Sequence, residues 1–341
     1  MKADIKSMTP EELGLFIESI GQKKYRAKQI FQWMYKGIYQ FEEMTNLSKE
    51  LREKLEEVAF IEKLEIKRFQ KSKKDGTRKY LFALRSGHAI ESVFLKYNFG
   101  NTVCISSQAG CRMNCSFCAS AMTGFEDNLS PGEMVDQILA IESDTGEKVG
   151  NVVVMGTGEP FDNYENLCRF IDLIHTKEGL NLSMRAITVS TCGIVPKIEA
   201  FGQDYPQVNL AVSLHAPNNE IRNELVPINK KYPMNLLLET CVKHTKRTGR
   251  RVTFEYALIR GVNDKKSHGE ELAARLASML CHVNLIPLNT VDEREFKGVE
   301  RKGAEEFLAI LQRKGIQATI RREMGSDIDA ACGQLRLQSK V

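Results

Sequence analysis

Thr102-Val103-Cys104-Ile105-Ser106-Ser107-Gln108-Ala109-Gly110-Cys111-Arg112-Met113-Asn114-Cys115-Ser116-Phe117-Cys118 runs from a β-branched segment straight into a loop with three cysteines. The segment 103–106 opens a series of short apolar runs at 152–155, 187–190, 210–214, 252–258 and 283–287, each followed by a helical pattern. Such alternation is the mark of βα units around a parallel sheet. Six units are too few for a closed eight-fold barrel. The pattern therefore predicts an α/β fold, an open partial (β/α)6 barrel over 101–341, with room for a last strand at 318–321. Its ligands should gather at the carboxyl ends of the strands.

Upstream, two patterns differ from the barrel. Residues 1–60 read as short helices: Thr9 stands before Pro10, Glu11 and Glu12 as an N-cap would, ahead of the apolar positions Leu13, Phe16 and Ile20. Further periodic stretches cover 27–35 and 48–58. These predict a small N-terminal helical domain. Over 61–100 the period changes to alternation, with Asp75-Gly76 and Ser86-Gly87 where hairpin turns would fall, which predicts a β-meander extension.

Bulk composition narrows the class. The chain has 341 residues, 42% hydrophobic and 27% charged, which excludes collagen-like and disordered classes and leaves ample core. The net charge of +4 is compatible with a polyanionic partner without demanding one. No run approaches the roughly 18 apolar residues of a membrane span, and Met1 is not followed by a secretory pattern, so a cytoplasmic protein with no membrane contact is expected. Nine cysteines in a reducing compartment point to metal ligation or catalysis rather than to structural disulfides.

Cys111, Cys115 and Cys118 can wrap one face of an iron–sulfur cubane and leave one iron open to chelate a small molecule through an amine and a carboxylate. A structural zinc knot normally takes four ligands in paired Cys-x-x-Cys spacing, and no second pair is present. A ferredoxin-type carrier would need a fourth cysteine on the loop, whereas Cys104 stands on the preceding strand.

The Cys-x-x-x-Cys-x-x-Cys spacing after a first strand resembles the radical S-adenosylmethionine superfamily, and Met155-Gly156-Thr157-Gly158-Glu159-Pro160 resembles its Gly-x-Gly-Glu-Pro element. Longer segments carry the resemblance further: 104–111, Ser213-Leu214-His215-Ala216-Pro217, and Gly325-Ser326-Asp327-Ile328-Asp329-Ala330-Ala331-Cys332-Gly333-Gln334-Leu335. Together they resemble the RlmN/Cfr family of RNA adenine methyltransferases over nearly the whole chain. Residues 251–256 and 283–287 match the RlmN branch better.

The resemblance implies a radical S-adenosylmethionine barrel holding a [4Fe-4S] cluster on Cys111, Cys115 and Cys118. It implies two S-adenosylmethionine molecules per turnover, bound through Gly158, Glu159, Ser190, Ser213, Leu214, His215 and Asn289. It also implies methylation of C2 of one adenosine in 23S rRNA and of the adenosine 3′ of the anticodon in some tRNAs. C2 of adenine is electrophilic and cannot attack a sulfonium methyl directly. In the implied scheme Cys332 takes a methyl from one S-adenosylmethionine. A 5′-deoxyadenosyl radical from the second then abstracts hydrogen from that methyl, and the carbon radical adds to C2. Loss of the C2 proton and attack of Cys104 on the Cys332 sulfur would free the product and leave a disulfide for cytosolic reductants to reset. Glu91 matches the family's proton acceptor, and the sequence leaves the choice between Glu91 and Cys104 open.

Partners implied are 23S rRNA, tRNA and an electron donor such as flavodoxin or ferredoxin, with the enzyme a monomer. A Cfr-like C8 methyltransferase and a redox-sensing iron–sulfur RNA-binding protein remain competing readings. Without the resemblance, Glu91 would read as a solvated carboxylate, His215 as a structural histidine, Cys332 as core, and Cys168, Cys192, Cys241 and Cys281 as small buried hydrophobes. The basic run Lys63, Lys67, Arg68, Lys71, Lys73, Lys74, Arg78 and Lys79 could grip phosphates or be a solvated hairpin. Lys243, Lys246, Arg247, Arg250 and Arg251 form a second basic group.

Overall fold

The computed structural model describes residues 2–288 and 296–328. A two-residue parallel pair, β1 (Ala3–Asp4) with β2 (Ala59–Phe60), ties the beginning of the helical segment to its end. Between them lie α1 (Pro10–Ser19), α2 (Tyr25–Met34) and α3 (Lys49–Val58). Thr9 caps α1 as expected. Its hydroxyl accepts from the Glu12 amide, and the Glu12 carboxylate accepts from the Thr9 amide, so two otherwise orphaned donors are satisfied reciprocally. Ser48 caps α3 through the Leu51 amide. Leu13, Ile17, Ile30, Phe31, Met34, Leu51 and Leu55 are fully buried where the three helices meet, each worth roughly 1.5–3 kcal/mol relative to exposure.

Ten strands form one continuous sheet. Its antiparallel part is β3 (Glu65–Lys71), β4 (Arg78–Ala83) and β5 (Ala89–Tyr97), turning at the two glycine positions the sequence marked. β6 (Gly100–Ile105) pairs antiparallel with β5, with Val93 opposite Cys104, and parallel with the next barrel strand. The meander expected as a separate extension is thus the antiparallel half of the barrel sheet.

After β6 comes a small hairpin, β7 (Gln108–Gly110) and β8 (Phe125–Asn128), which the sequence reading did not anticipate. The parallel series continues with β9 (Asn151–Val154), β10 (Ile187–Thr191), β11 (Asn209–Ser213), β12 (Val252–Leu258), β13 (Cys281–Pro287) and β14 (Ala318–Ile320). Sheet order is β14-β13-β12-β11-β10-β9-β6-β5-β4-β3, so β3 and β14 are the two ends and the barrel is open. β14 supplies a seventh parallel strand beyond the six units counted.

Helices α4 (Pro131–Thr145), α5 (Tyr164–His175), α6 (Val195–Asp204), α7 (Asn219–Leu225), α8 (Met234–Thr248), α9 (Lys266–Leu276) and α10 (Arg301–Arg313) connect these strands. Covered strands read as near-continuous apolar runs because both faces are sealed; Val152, Val154, Val189, Leu210 and Val212 are almost wholly buried.

The helical segment docks on α4 through a buried polar knot. Lys6 pairs with Asp136, both inaccessible to water, while Asp136 also accepts from Tyr39 Oη at 2.8 Å and from the Leu64 amide at 2.6 Å. Among the described residues no helix is long and apolar enough to cross a membrane.

Candidate active site

The three-cysteine loop leaves β7 and returns in β8, so the unforeseen hairpin closes its base. Gly110 makes that closure possible. It sits at φ +73°, and a Cβ there would lie 1.7 Å from Gly124 O; the Cys111 amide donates to that same carbonyl at 2.9 Å. Within the loop, the Cys118 amide donates to Cys115 O and the Ser116 amide to Leu225 O at the end of α7.

The thiols of Cys111, Cys115 and Cys118 are half-buried. Burial first, and then the neighbouring thiols and Glu159, push the Cys111 thiol up to about 12 and Cys115 higher still. A site that penalises bare thiolates at Cys111 and Cys115 in this way is one a cationic iron–sulfur core would relieve. Among the described residues no three Cys, His, Asp or Glu side chains surround a common point as a single ion requires; a cubane instead takes each thiolate on a different iron. The donor set fits such a cluster.

Residues 155–160 pack directly on the strand leading to this loop. The Thr157 amide donates to Ser106 Oγ, and Thr157 O accepts from the Ser107 and Gln108 amides. Gly158, at φ +108°, has no room for a Cβ, which would come within 2.6 Å of Gln108. The Glu159 carboxylate, expected to bind S-adenosylmethionine, is buried and accepts from the Phe161 amide at 3.0 Å and the Cys192 amide at 2.7 Å. It therefore locks the ends of β9 and β10 together, and burial raises its pKa against those hydrogen bonds.

A cavity of about 550 Å³ opens at the carboxyl ends of the strands, where the barrel rule placed it. It gathers Glu91, Cys104, Cys118 and His215, four of the site residues expected from the sequence, together with Gly156 of the 155–160 turn, whereas Cys111, Cys115, Gly158 and Glu159 are not among its lining residues. Glu91 is not the solvated strand-edge carboxylate of the bland reading: it is 3% exposed and pairs with fully buried Lys79 at 3.1 Å. Cys104 stands across from Val93 on the same sheet face. Its burial pushes the thiol up, while Arg321 and Lys79 pull it back.

His215 adopts φ +56° and lies with its ring edge toward Phe117, 4.9 Å between centroids. Its Nδ1 accepts from the Ala257 amide at 3.0 Å, which leaves any proton on Nε2. Burial, reinforced by Arg222, lowers its pKa to about 3, so the ring is neutral.

Other expected residues surround the cavity less directly. Ser190 and Ser213 are half-buried in β10 and β11. Leu214 is fully buried, with its amide given to Glu255 O and its carbonyl taken by Arg222. Asn289 and Cys332 lie outside the described residues. Cys192, Cys241 and Cys281 are buried and Cys168 half-buried.

Part of the basic hairpin is engaged within the protein. Lys79 is sealed against Glu91, Arg78 is held by Asp144 at 2.6 Å, and Lys74 Nζ donates to Ser326 Oγ. The hairpin tip instead grasps the segment after β14. Asp327 accepts from Ser72 Oγ at 2.5 Å and the Lys73 amide at 2.8 Å, and Asp75 accepts from the Gly325 amide at 2.8 Å. Lys67, Arg68, Lys71 and Lys73 remain exposed on the hairpin. Lys243, Lys246 and Arg247 lie on the outer surface of α8.

Sequence reasoning missed Arg321 and Arg222. Arg321 lines the cavity just beyond β14, and the strand-end rule would have found it had that strand been counted among the units. Arg222, in Asn219-Glu220-Ile221-Arg222-Asn223-Glu224-Leu225, gives no local signal, because alternating charges on a short helix read as a solvated face.

Comparison with known proteins agrees with this geometry. Residues 3–61 match the family model described as the ribosomal RNA large subunit methyltransferase N-terminal domain, and residues 105–273 match the radical SAM superfamily. The chain is 52% identical over 334 residues to a probable dual-specificity RNA methyltransferase RlmN of Thermoanaerobacter sp. (strain X514), covering 98% of this chain and 97% of that one. It is 48% identical over 336 residues to the like-named protein of Desulforamulus reducens, covering 98% and 96%. A crystal structure of a radical SAM methyltransferase from Sphaerobacter thermophilus superimposes with a TM-score of 0.93 at 43% identity, covering 97% of this chain and 98% of that one. A family whose members carry a [4Fe-4S] cluster and S-adenosylmethionine accounts for the three thiols, the glycine-lined turn and the cavity beside them, and the chain belongs to it: the RlmN family of radical SAM RNA methyltransferases.

Proposed function

We propose that this enzyme methylates C2 of one adenosine in 23S rRNA and of the adenosine 3′ of the anticodon in tRNA, using two S-adenosylmethionine molecules per turnover. The observation that carries the reading is the meeting of Glu91, Cys104, Cys118 and His215 around one cavity at the strand ends. When bound on Cys111, Cys115 and Cys118, the cluster with S-adenosylmethionine supplies a 5′-deoxyadenosyl radical. The protein does the rest. Cys332 carries the methyl group to be activated, and after addition to C2 one of Glu91 or Cys104 takes the C2 proton. The adduct gives its unpaired electron back to the one-electron donor. Cys104 as thiolate then attacks the Cys332 sulfur, and the sulfur–carbon bond breaks with its electron pair toward the base. The freed carbon takes a proton to become the methyl group, and cytosolic thiols reduce the resulting disulfide. Lys79 holds the Glu91 carboxylate in place at the cavity wall, and Arg321 pulls the Cys104 thiol back toward ionisation against the burial that raises it. Neutral His215, with Ser190, Ser213 and Asn289, offers uncharged polar groups to the nucleoside part of S-adenosylmethionine, and the 156–160 turn meets its methionyl part. An adenine must leave its stack to reach such a cavity.

The test is anaerobic cluster reconstitution, reduction with S-adenosylmethionine, and mass spectrometry of nucleosides from treated 23S rRNA and tRNA. The expected products are 2-methyladenosine and 5′-deoxyadenosine. Formation of 8-methyladenosine would replace the C2 assignment with C8. No 5′-deoxyadenosine would instead favour a redox-sensing RNA-binding role.

A further inference from the structure

Arg222 is wholly buried in the middle of α7, the helix whose last carbonyl, Leu225 O, accepts from the three-cysteine loop. Its guanidinium donates to Leu214 O at 3.2 Å, Cys192 O at 2.6 Å, Ser213 O at 3.2 Å and Asn229 Oδ1 at 2.8 Å. All four acceptors are neutral. Among the described residues no carboxylate lies within ion-pair distance of it. A buried cation without an anionic partner is strongly disfavoured, and proteins keep one where something negative completes it.

One helical turn beyond Arg222, Leu225 O accepts from the Ser116 amide, inside the cysteine loop. Cys115 and Phe117 pack against the apolar group formed by Cys192, Leu225, Val226 and Ile259, with Ile221 beside them. Arg222 thus lies in the helix on which the loop rests, its guanidinium bonded to the carbonyl of Cys192, a member of the group that Cys115 and Phe117 pack against.

We propose that Arg222 is the fixed counter-charge of the three-cysteine site, offsetting the negative charge of the thiolate-bound cluster and raising its reduction potential. The inference rests on the cluster occupying Cys111, Cys115 and Cys118, as membership of the family implies. Reduction adds an electron to an already anionic assembly, so a buried positive charge beside it favours the reduced form. Net charge around the sulfurs is one of the known determinants of cluster potential. The same guanidinium ties the carbonyls at the ends of β10 and β11, so charge and fork geometry must be separated experimentally.

The experiment is an EPR-monitored redox titration of reconstituted protein without S-adenosylmethionine, comparing the wild type with Arg222→Lys, Arg222→Gln and Asn229→Asp, with iron and sulfide content measured in parallel. Lysine keeps the charge and loses the fork. Asn229→Asp keeps the fork and supplies a carboxylate at its Nη1. The expected result is a midpoint near the wild type for lysine, and a more negative midpoint for glutamine and for Asn229→Asp. Loss of iron in Arg222→Gln with retention in Arg222→Lys would support the same conclusion. Matching behaviour of the lysine and glutamine variants, whether both unchanged or both stripped of iron, would overturn it. Absence of iron from the reconstituted wild type would instead defeat the cluster assignment on which the inference rests.

Discussion

Lys79 Nζ lies 3.1 Å from Glu91 Oε2, and both side chains are sealed from water beside the cavity that also holds Cys104. Removing one partner takes this counter-charge away from the other in a dry site. Lys79→Met is expected to cost about 3–5 kcal/mol of unfolding free energy, measured by denaturant titration. Adding Glu91→Gln to it should recover much of that loss. A single-variant cost below about 1 kcal/mol would mean that water reaches the pair.

Gly110 should tolerate no side chain. The left-handed conformation alone costs an alanine about 1–2 kcal/mol, and its Cβ would collide with Gly124 O, the carbonyl that closes the cysteine loop. Gly110→Ala is expected to keep native circular dichroism yet lose most of its iron on reconstitution, read by iron content and the cluster absorbance. Full iron loading would show that the loop has another way to close.

Two histidines make the protein acid-sensitive. Burial lowers His215 to about 3 and His244 to about 4, the latter aided by Arg247 and Arg250, against an ordinary value near 6.5. Below pH 6.5 the unfolded chain therefore binds protons that the folded chain refuses, and their contribution to stability is lost as pH falls through that window. Neither His244 ring nitrogen has a hydrogen-bond partner among the described residues. His244→Asn should flatten the dependence of the denaturation midpoint on pH between about 6.5 and 4. An unchanged slope would count against a neutral, buried His244.

Cys104 is proposed to release the product, so its loss should stall turnover after the base is joined to Cys332. Cys104→Ala is expected to accumulate a covalent protein–RNA species, visible as a nuclease-sensitive shift on denaturing gels. Absence of that species under turnover conditions would remove Cys104 from the release step.

Asp327 in the segment after β14 accepts from Ser72 and Lys73 of the hairpin tip, and Asp75 of the tip accepts from the Gly325 amide. Asp327→Ala should speed tryptic cleavage at Arg321 and Arg322, compared by limited proteolysis at equal folded fraction. Unaltered cleavage would show that other contacts hold the segment.

How much was legible beforehand follows from how local each signal is. Strand positions came through because burial on both faces writes apolar runs such as 152–154 and 252–258 directly into the chain. Thr9 announced α1 because its capping box is completed by Glu12, three residues away. The hairpin of β7 and β8 left no such trace: its strands are three and four residues long and include Gly110. Lys79 was placed with its basic neighbours because proximity in sequence says nothing of which sheet face a side chain takes. Alternation along β4 sends it inward toward Glu91 while Arg78 reaches Asp144.

The order of residues by itself determined the βα framework, the three-thiolate loop and the glycines that let backbone approach backbone, since each depends on period, spacing or a missing side chain within a few positions. Only the tertiary structure decided that the meander continues the barrel sheet, that Glu159 clamps two strand ends, that His215 is neutral, and that Arg222 is buried against carbonyls at the ends of two strands. Those outcomes depend on burial and on charges brought together across tens of residues, and dielectric environment is a property of the packed molecule rather than of any segment of its chain.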